Sequence, residues 1–326
     1  MNVKRSFCFC IIAFGLQLSV FPAMAITTDE LADICKEMES AIRDICLEYE
    51  WYNIPPRTIE EEEKEMGMPM LIIKDGIRRF KLRAAGLLSI RDPNDPNSPL
   101  PDRLLLEESS TIMDKDGNAW DSIIKASYNG KIFKYLNIGG WPLDAREGGI
   151  SRSKRFFILP PNLTPLGFSI LRLSYDVEKV PLSTRLKHKG FVHLDNTIQK
   201  INEFNTIRAD LLTTNANKMV YLRVYFSVHH GYAPVRYEYM RGGEPGFEQV
   251  AFTVEVHSLE QVGEGLWFPS SGVINRTGDK QVDAWQATSK ILVNQGLAEK
   301  DFDVEFPPGT KVQDEIKGVE YVVKSE

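Results

Sequence analysis

Cysteine and histidine are scarce in this chain, at four and five among 326 residues. Cys8 and Cys10 fall in the N-terminal apolar run, which leaves Cys35 and Cys46 for the rest of the protein. No HExxH and no CxxC pair occurs, so the common zinc patterns are excluded and no metal is expected. The GxSxG elbow, the Walker loop and the dinucleotide fingerprint are missing too, which removes the best-marked hydrolase and nucleotide-binding classes, and no cofactor is expected. Positive charge is also in deficit, with 39 Lys and Arg against 45 Asp and Glu. An acidic chain is poorly suited to nucleic acid or an anionic membrane, because both are bound by Lys and Arg neutralising phosphates. Beyond the N-terminus no apolar run is long enough to cross a bilayer, and no repeat or linker divides the sequence.

What is present begins with MNVKR, an apolar run, and Ala23-Met24-Ala25. This pattern predicts a secretory signal peptide over residues 1–25, cut after Ala25, and a single domain over 26–326. The run is shorter than the roughly 20 residues of a spanning helix. Neither Cys8 nor Cys10 has the context of a lipid-attachment site. Loss of Lys4 and Arg5 with the signal moves the formal charge from −6 to −8. The expected location is the periplasm of a Gram-negative bacterium or the medium. With 43% apolar and 10% aromatic residues, the chain has material for a large core.

The segment after the signal opens on a capping-box pattern, Thr27 to Glu30, and carries Leu31, Ile34, Cys35, Met38, Ile42, Ile45, Cys46 and Tyr49 at helical spacing. It predicts one helix over 28–49 with both thiols on its packed face, about 16 Å apart, too far for a disulfide. Three hairpins are then expected at Asp75-Gly76, Asp116-Gly117 and Asn129-Gly130, dipeptides suited to positive φ. Asp114, Asp116 and Asn118 imitate the start of a calcium loop, but Ala119 and Lys125 stand where glycine and the bidentate glutamate belong. Glu60 to Glu65 reads as a solvated acidic turn, and the proline-rich 92–102 as a surface loop. The clusters 77–83 and 152–157 read as solvated basic faces. Within 142–215, the stretches 162–173 and 196–212 have spacings compatible with helices.

From residue 219 the period changes to two. Val220, Leu222, Val224, Phe226 and Val228 alternate with polar or aromatic neighbours, and Val250, Phe252, Val254 and Val256 repeat the device. Between them lies HHGYAP, where Gly231 and Pro234 shape a reversal. His229 and His230 point to opposite faces of an extended chain, so they are read as turn residues without a catalytic or metal role.

The order of signal, helix and antiparallel strands, the turn Gly231, Tyr232, Pro234 and Val235, and the ending Phe302 to Val312 resemble the periplasmic lipoprotein-carrier fold, the LolA/LolB-like superfamily of outer-membrane lipoprotein-sorting proteins. The resemblance implies an α+β fold, mainly antiparallel β, with a curled half-barrel sheet and helices packed on the concave side. A helix and strands each apolar on one face call for the same layering. The resemblance further implies a soluble carrier or chaperone for lipid or the acyl chains of lipoproteins, with transient contact with membrane proteins. The family's functional arginine matches no motif here, and Arg78, Arg79, Arg83 and Arg91 all lie in the relevant region.

The expected ligand-binding residues are Met38 on the helix and Leu222, Val224, Phe226, Phe252, Val254 and Val256 on the strands. Two other classes compete. A protein-docking module would use strand edges and aromatics such as Trp267 and Trp285. An exported hydrolase would need Ser270-Ser271-Gly272 as a nucleophile turn, or His188, His193 and Asp195 as its bases. The carrier reading is preferred, and no enzymatic activity is expected.

Overall fold

Thr27 starts the first helix by a reciprocal cap. Its hydroxyl accepts the Glu30 N–H at 3.2 Å while the Glu30 carboxylate accepts the Thr27 N–H at 2.7 Å. Helix α1 (Thr28–Ala41) then buries Leu31, Ala32, Cys35 and Met38. It ends eight residues before the expected point. Asn294 receives the Arg43 N–H and donates to the Ala41 carbonyl, and Asp44 accepts the N–H groups of Gln295 and Gly296. The chain continues as strand β1 (Asp44–Ile54). Ile45, Leu47, Tyr49 and Trp51 also fit a period of two, and pairing on both sides of the strand decides for that period. Cys46 therefore lies on a strand, half-buried, while Cys35 is buried in the helix, and both thiols are free.

The computed structural model describes residues 25–54, 72–85, 103–114, 116–139, 146–152, 182–188, 190–212, 220–241, 249–278 and 282–325. Residues 1–24 of the expected signal peptide 1–25, the expected acidic turn 60–65 and surface loop 92–102, Arg91, Met219 and the stretches 153–157 and 162–173 lie outside them.

Strands β2 (Ile72–Ile73), β3 (Ile77–Ala85), β4 (Arg103–Met113), β5 (Ala119–Tyr128), β6 (Phe133–Ile138) and β7 (Arg146–Ser151) form one arm of the sheet, in the order β1, β3, β4, β5, β6, β7. The hairpins at Asp116-Gly117 and Asn129-Gly130 are as expected, with positive φ at both glycines. Asp114 accepts from the Asp116 and Asn118 N–H groups, and so closes its own turn. Asp75-Gly76 is not a hairpin. Both β2 and β3 run antiparallel to β4 along the same edge, so the dipeptide interrupts one strand path.

The other arm runs β14, β13, β12, β11, β10, β9, β8 outward from β1. It comprises β8 (Val192–Ile201), β9 (Phe204–Leu212), β10 (Val220–Ser227), β11 (Ala233–Arg241), β12 (Gln249–Gly263), β13 (Leu266–Arg276) and β14 (Val282–Ala287). The short β15 (Leu292–Val293) pairs with the start of β1. The expected helix over 196–212 is thus a hairpin. Its strand β9 buries Thr206 with Ile207, and Ala209 with Asp210 and Leu211, so burial on both faces hides the alternation. Its outer face belongs to a ladder of ion pairs in which Arg208, Arg223 and Arg236 join Asp195, Asp210, Glu238 and Glu255 at 2.7–3.5 Å.

After a 3₁₀ turn at Glu299–Phe302, the ending packs Phe302 and Val304 fully away from water. Strands β16 (Lys311–Asp314) and β17 (Val319–Val322) then extend the first arm, β16 pairing in parallel with β7. Gly148 on β7 makes room for this ending, since a Cβ there would come within 2.7 Å of the Phe306 ring. The described strands form one large, curled, unclosed sheet, mostly antiparallel, with β8 and β17 as its ends among the described residues. Helix α1 and the short α2 (Leu182–Leu186) cover its concave side near β8–β12.

Candidate ligand-binding face

Residues paired across neighbouring strands share a face of the sheet. Along β10, β11 and β12 that rule aligns Leu222, Tyr239 and Phe252, and also Val224, Tyr237 and Val254. These rows join Leu31, Ala32, Cys35 and Met38 of α1 in one apolar cluster. Of the residues singled out in the sequence, Met38, Leu222, Val224, Phe226, Val254 and Val256 are buried in it. Phe252 sits at its rim, partly exposed and stacked on Tyr239 with ring centres 4.2 Å apart. The structure brings the six strand residues to the concave side, five of them buried in one cluster with Met38 of α1.

Two polar contacts secure the helices over this arm. Ser183 of α2 donates its N–H and its hydroxyl to the Glu39 carboxylate of α1, and Arg185 bonds the Tyr221 hydroxyl on β10. Burial pushes the Glu39 carboxyl above its ordinary range, against the lowering effect of the Ser183 bonds. Burial likewise raises the Cys35 thiol and the Tyr237 phenol.

The concave side continues past β1 onto the other arm. One row runs from Tyr49 to Phe80, Glu108, Ile124 and Asn137 on β1, β3, β4, β5 and β6, and the next from Leu106 to Ala126 and Tyr135. Here Ile124 is 43% exposed, and Ala126 and Tyr135 are partly exposed. The Glu108 carboxylate accepts no hydrogen bond among the described residues, and its ion-pair partner there is Arg78 at 3.7 Å. Burial holds its carboxyl above the usual range, against the lowering pull of Arg78. The Tyr49 hydroxyl and the Asn137 side-chain oxygen are buried without a partner among the described residues. Sequence reasoning did not find this row, because its members come from five strands and no spacing links them.

The competing sites fare differently. His229 and His230 lie in the β10–β11 turn, as expected, with positive φ at Gly231 and Tyr232. His230 nevertheless has a packing role. Its Nδ1 lies 2.7 Å from the Ser227 hydroxyl, and its ring meets Phe204 and Trp267 edge-on. Among the described residues no group of three His, Cys, Asp or Glu is placed to hold a metal ion. Ser270 and Ser271 form no bend. They lie within β13, and both hydroxyls bond Ser258. Trp285 is 1% exposed, which takes it from the docking role, while Trp267 is half-buried and meets His230 edge-on. His193 and Asp195 are on β8, where Asp195 pairs with Arg208. His188 lines a hollow of about 320 Å³ with Thr27, Asp29 and Val192. Arg79 pairs with Glu50 and Asp75, and Arg83 donates to the Asp301 carbonyl. Among the described residues no helix is long and apolar enough to cross a membrane.

No protein-family model matches the chain, and no curated protein matches it. Among solved structures it is similar to a LolA superfamily protein from Nitrosomonas europaea, at 10% identity and a TM-score of 0.36, over 86% of this chain and 99% of that one. It is also similar to a domain described as an outer membrane lipoprotein-sorting protein from Vibrio parahaemolyticus, at 11% identity and 0.40, over 85% and 97%. A third is a DUF1329 family protein from Desulfovibrio piger, at 10% identity and 0.40, over 86% and 98%. At such identities and TM-scores the likeness assigns neither ligand nor partner.

Proposed function

We propose that the protein is an exported, non-enzymatic binding protein that holds the apolar part of a lipid or acylated protein on the concave side of its sheet. One observation carries this reading: the apolar concave face runs across both arms, the buried cluster around α1 reaches as far as Leu104 and Leu106 on β4, and beyond it on β5 Ile124 is 43% exposed, with Ala126 and Tyr135 partly exposed. Exposed apolar area is unfavourable by roughly 25 cal/mol per Å², so an acyl chain laid along this face is favoured. Each methylene it buries contributes about 0.8 kcal/mol. Phe252 belongs to the rim in this reading, whereas Met38, Leu222, Val224, Phe226, Val254 and Val256 would meet a ligand only with α1 displaced.

The test compares Ile124→Asp with Leu292→Asp, both at exposed positions where folding tolerates charge. Nile red displacement by a myristoyl ester reports binding, and mass spectrometry of the protein purified from its host reports lipid carried along. Ile124→Asp is expected to weaken displacement by about tenfold or more, the equivalent of one buried aliphatic side chain, with Leu292→Asp unchanged. Wild-type affinity in Ile124→Asp, together with no co-purified lipid, would remove the carrier reading. The docking alternative would then rest on the free edge of β17, where Val319, Tyr321 and Val322 are exposed.

A further inference from the structure

Buried polar groups in folded proteins nearly always have partners, and each exception calls for a cause. The row from Tyr49 to Asn137 holds two such exceptions among the described residues, the buried Tyr49 hydroxyl and Asn137 oxygen, with the under-paired Glu108 carboxylate between them. All three lie on one face by strand register, and exposed Ile124 stands between Glu108 and Asn137. Glu108 and Asn137 are two strands apart, about 10 Å between backbones. That span suits one small head group lying over Ile124 within reach of both side chains.

We infer that this row is the head-group seat of the ligand face and that it takes a neutral head bearing hydroxyls, such as a glyceryl ester, in preference to a carboxylate, a phosphate or an ammonium. The inference rests on the lipid-binding reading above and specifies its ligand. Charge decides the class. An anionic head would face Glu108, an ammonium would face Arg78, and the two residues cancel each other for a neutral head. Hydrogen bonding decides the chemistry. Asn137 and Glu108 offer acceptor oxygens that only donors can satisfy, and the Tyr49 hydroxyl can give as well as accept. A polyol supplies both roles, while an acyl methyl ester supplies no donor.

The experiment uses the mature protein and measures Nile red displacement by monomyristin, myristic acid and methyl myristate. Monomyristin is expected to displace the probe at about tenfold lower concentration than the methyl ester, the equivalent of one or two net hydrogen bonds. Tyr49→Phe and Asn137→Leu, on separate strands, each remove an orphaned atom without creating another. Each should narrow the gap between monomyristin and the methyl ester. The wild-type ligand comparison stands even where a variant fails to fold. Equal displacement by the two esters, or a preference for myristic acid, overturns the head-group seat and leaves the lipid-binding reading intact. Failure of all three ligands to displace the probe overturns both.

Discussion

Gly272 of β13 tests how tightly the concave side is packed. It stands opposite Trp285 of β14 and Val256 of β12. A Cβ built there lies 2.1 Å from the Trp285 ring and 2.3 Å from the Glu255 carbonyl oxygen. Comfortable carbon contacts are about 3.5–4.0 Å, so Gly272→Ala requires the ring to withdraw by roughly 1.5 Å. The carbonyl belongs to the β12 backbone, whose ladder would have to open for it to move. Trp285 is 1% exposed, with no free volume implied around it. Overpacking by itself costs about 1–3 kcal/mol, and expelling the indole approaches the roughly 3–5 kcal/mol of truncating a buried aromatic. The expected loss is therefore about 3 kcal/mol, read as a lower urea midpoint at unchanged slope. Gly265→Ala is the control, since nothing lies within 4 Å of its added methyl and only the positive φ of +65° opposes it, at about 1 kcal/mol. Pairing Gly272→Ala with Trp285→Leu opens space for the methyl, and the double-mutant cycle should show a coupling of at least about 1 kcal/mol. A Gly272→Ala protein as stable as the Gly265→Ala control, or an additive cycle, refutes the packing described for this face.

Four further outcomes are expected. His229→Asn should leave urea stability nearly unchanged, whereas His230→Asn should lower it, because only the second loses contacts with Phe204 and Trp267. Burial first, then the neighbouring His229, depresses the His230 pKa below its ordinary 6.5. The folded state then binds fewer protons than the unfolded one, so the wild type should lose stability as pH falls through 6.5 and His230→Phe should flatten that loss; identical pH profiles would disprove the assignment. Glu39 has the opposite sign, since burial raises its folded pKa above 4.5 and stability falls as pH rises through that window. Glu39→Gln keeps an oxygen for Ser183 and should match the wild type in acid but exceed it near neutrality by chemical denaturation. Thr27→Ala should cost about 1 kcal/mol by removing the cap of α1, visible as a lower melting temperature.

Local signals in the sequence were legible where one physical rule acted alone. The Thr27–Glu30 box marked the start of α1, and the Asn129-Gly130 turn marked its hairpin, because each depends on residues within a few positions. Errors came where two rules fit the same residues. Ile42, Ile45, Cys46 and Tyr49 satisfy a helix, Ile45, Leu47, Tyr49 and Trp51 satisfy a strand, and the choice lay with partners at 77–85 and 282–287. Strand β9 was obscured because charged residues of its two neighbours, Asp195 of β8 and Arg223 of β10, pair across its outer face and it is buried on both sides. The candidate site divides in the same way. Leu222, Val224, Phe226, Phe252, Val254 and Val256 were readable as one sheet surface, since alternation alone assigns each to a face, and helical spacing put Met38 on the packed side of α1. Which part of that surface lies under α1 depends on where the helix rests, and alternation carries no such information. Tyr49, Glu108 and Asn137 come from strands far apart in the chain and share a row only through the registers of four successive pairings. A shift of one residue in any of those registers would turn one of these groups to the outer face and satisfy it with water. Register therefore decides whether this row is a seat for a ligand or ordinary surface.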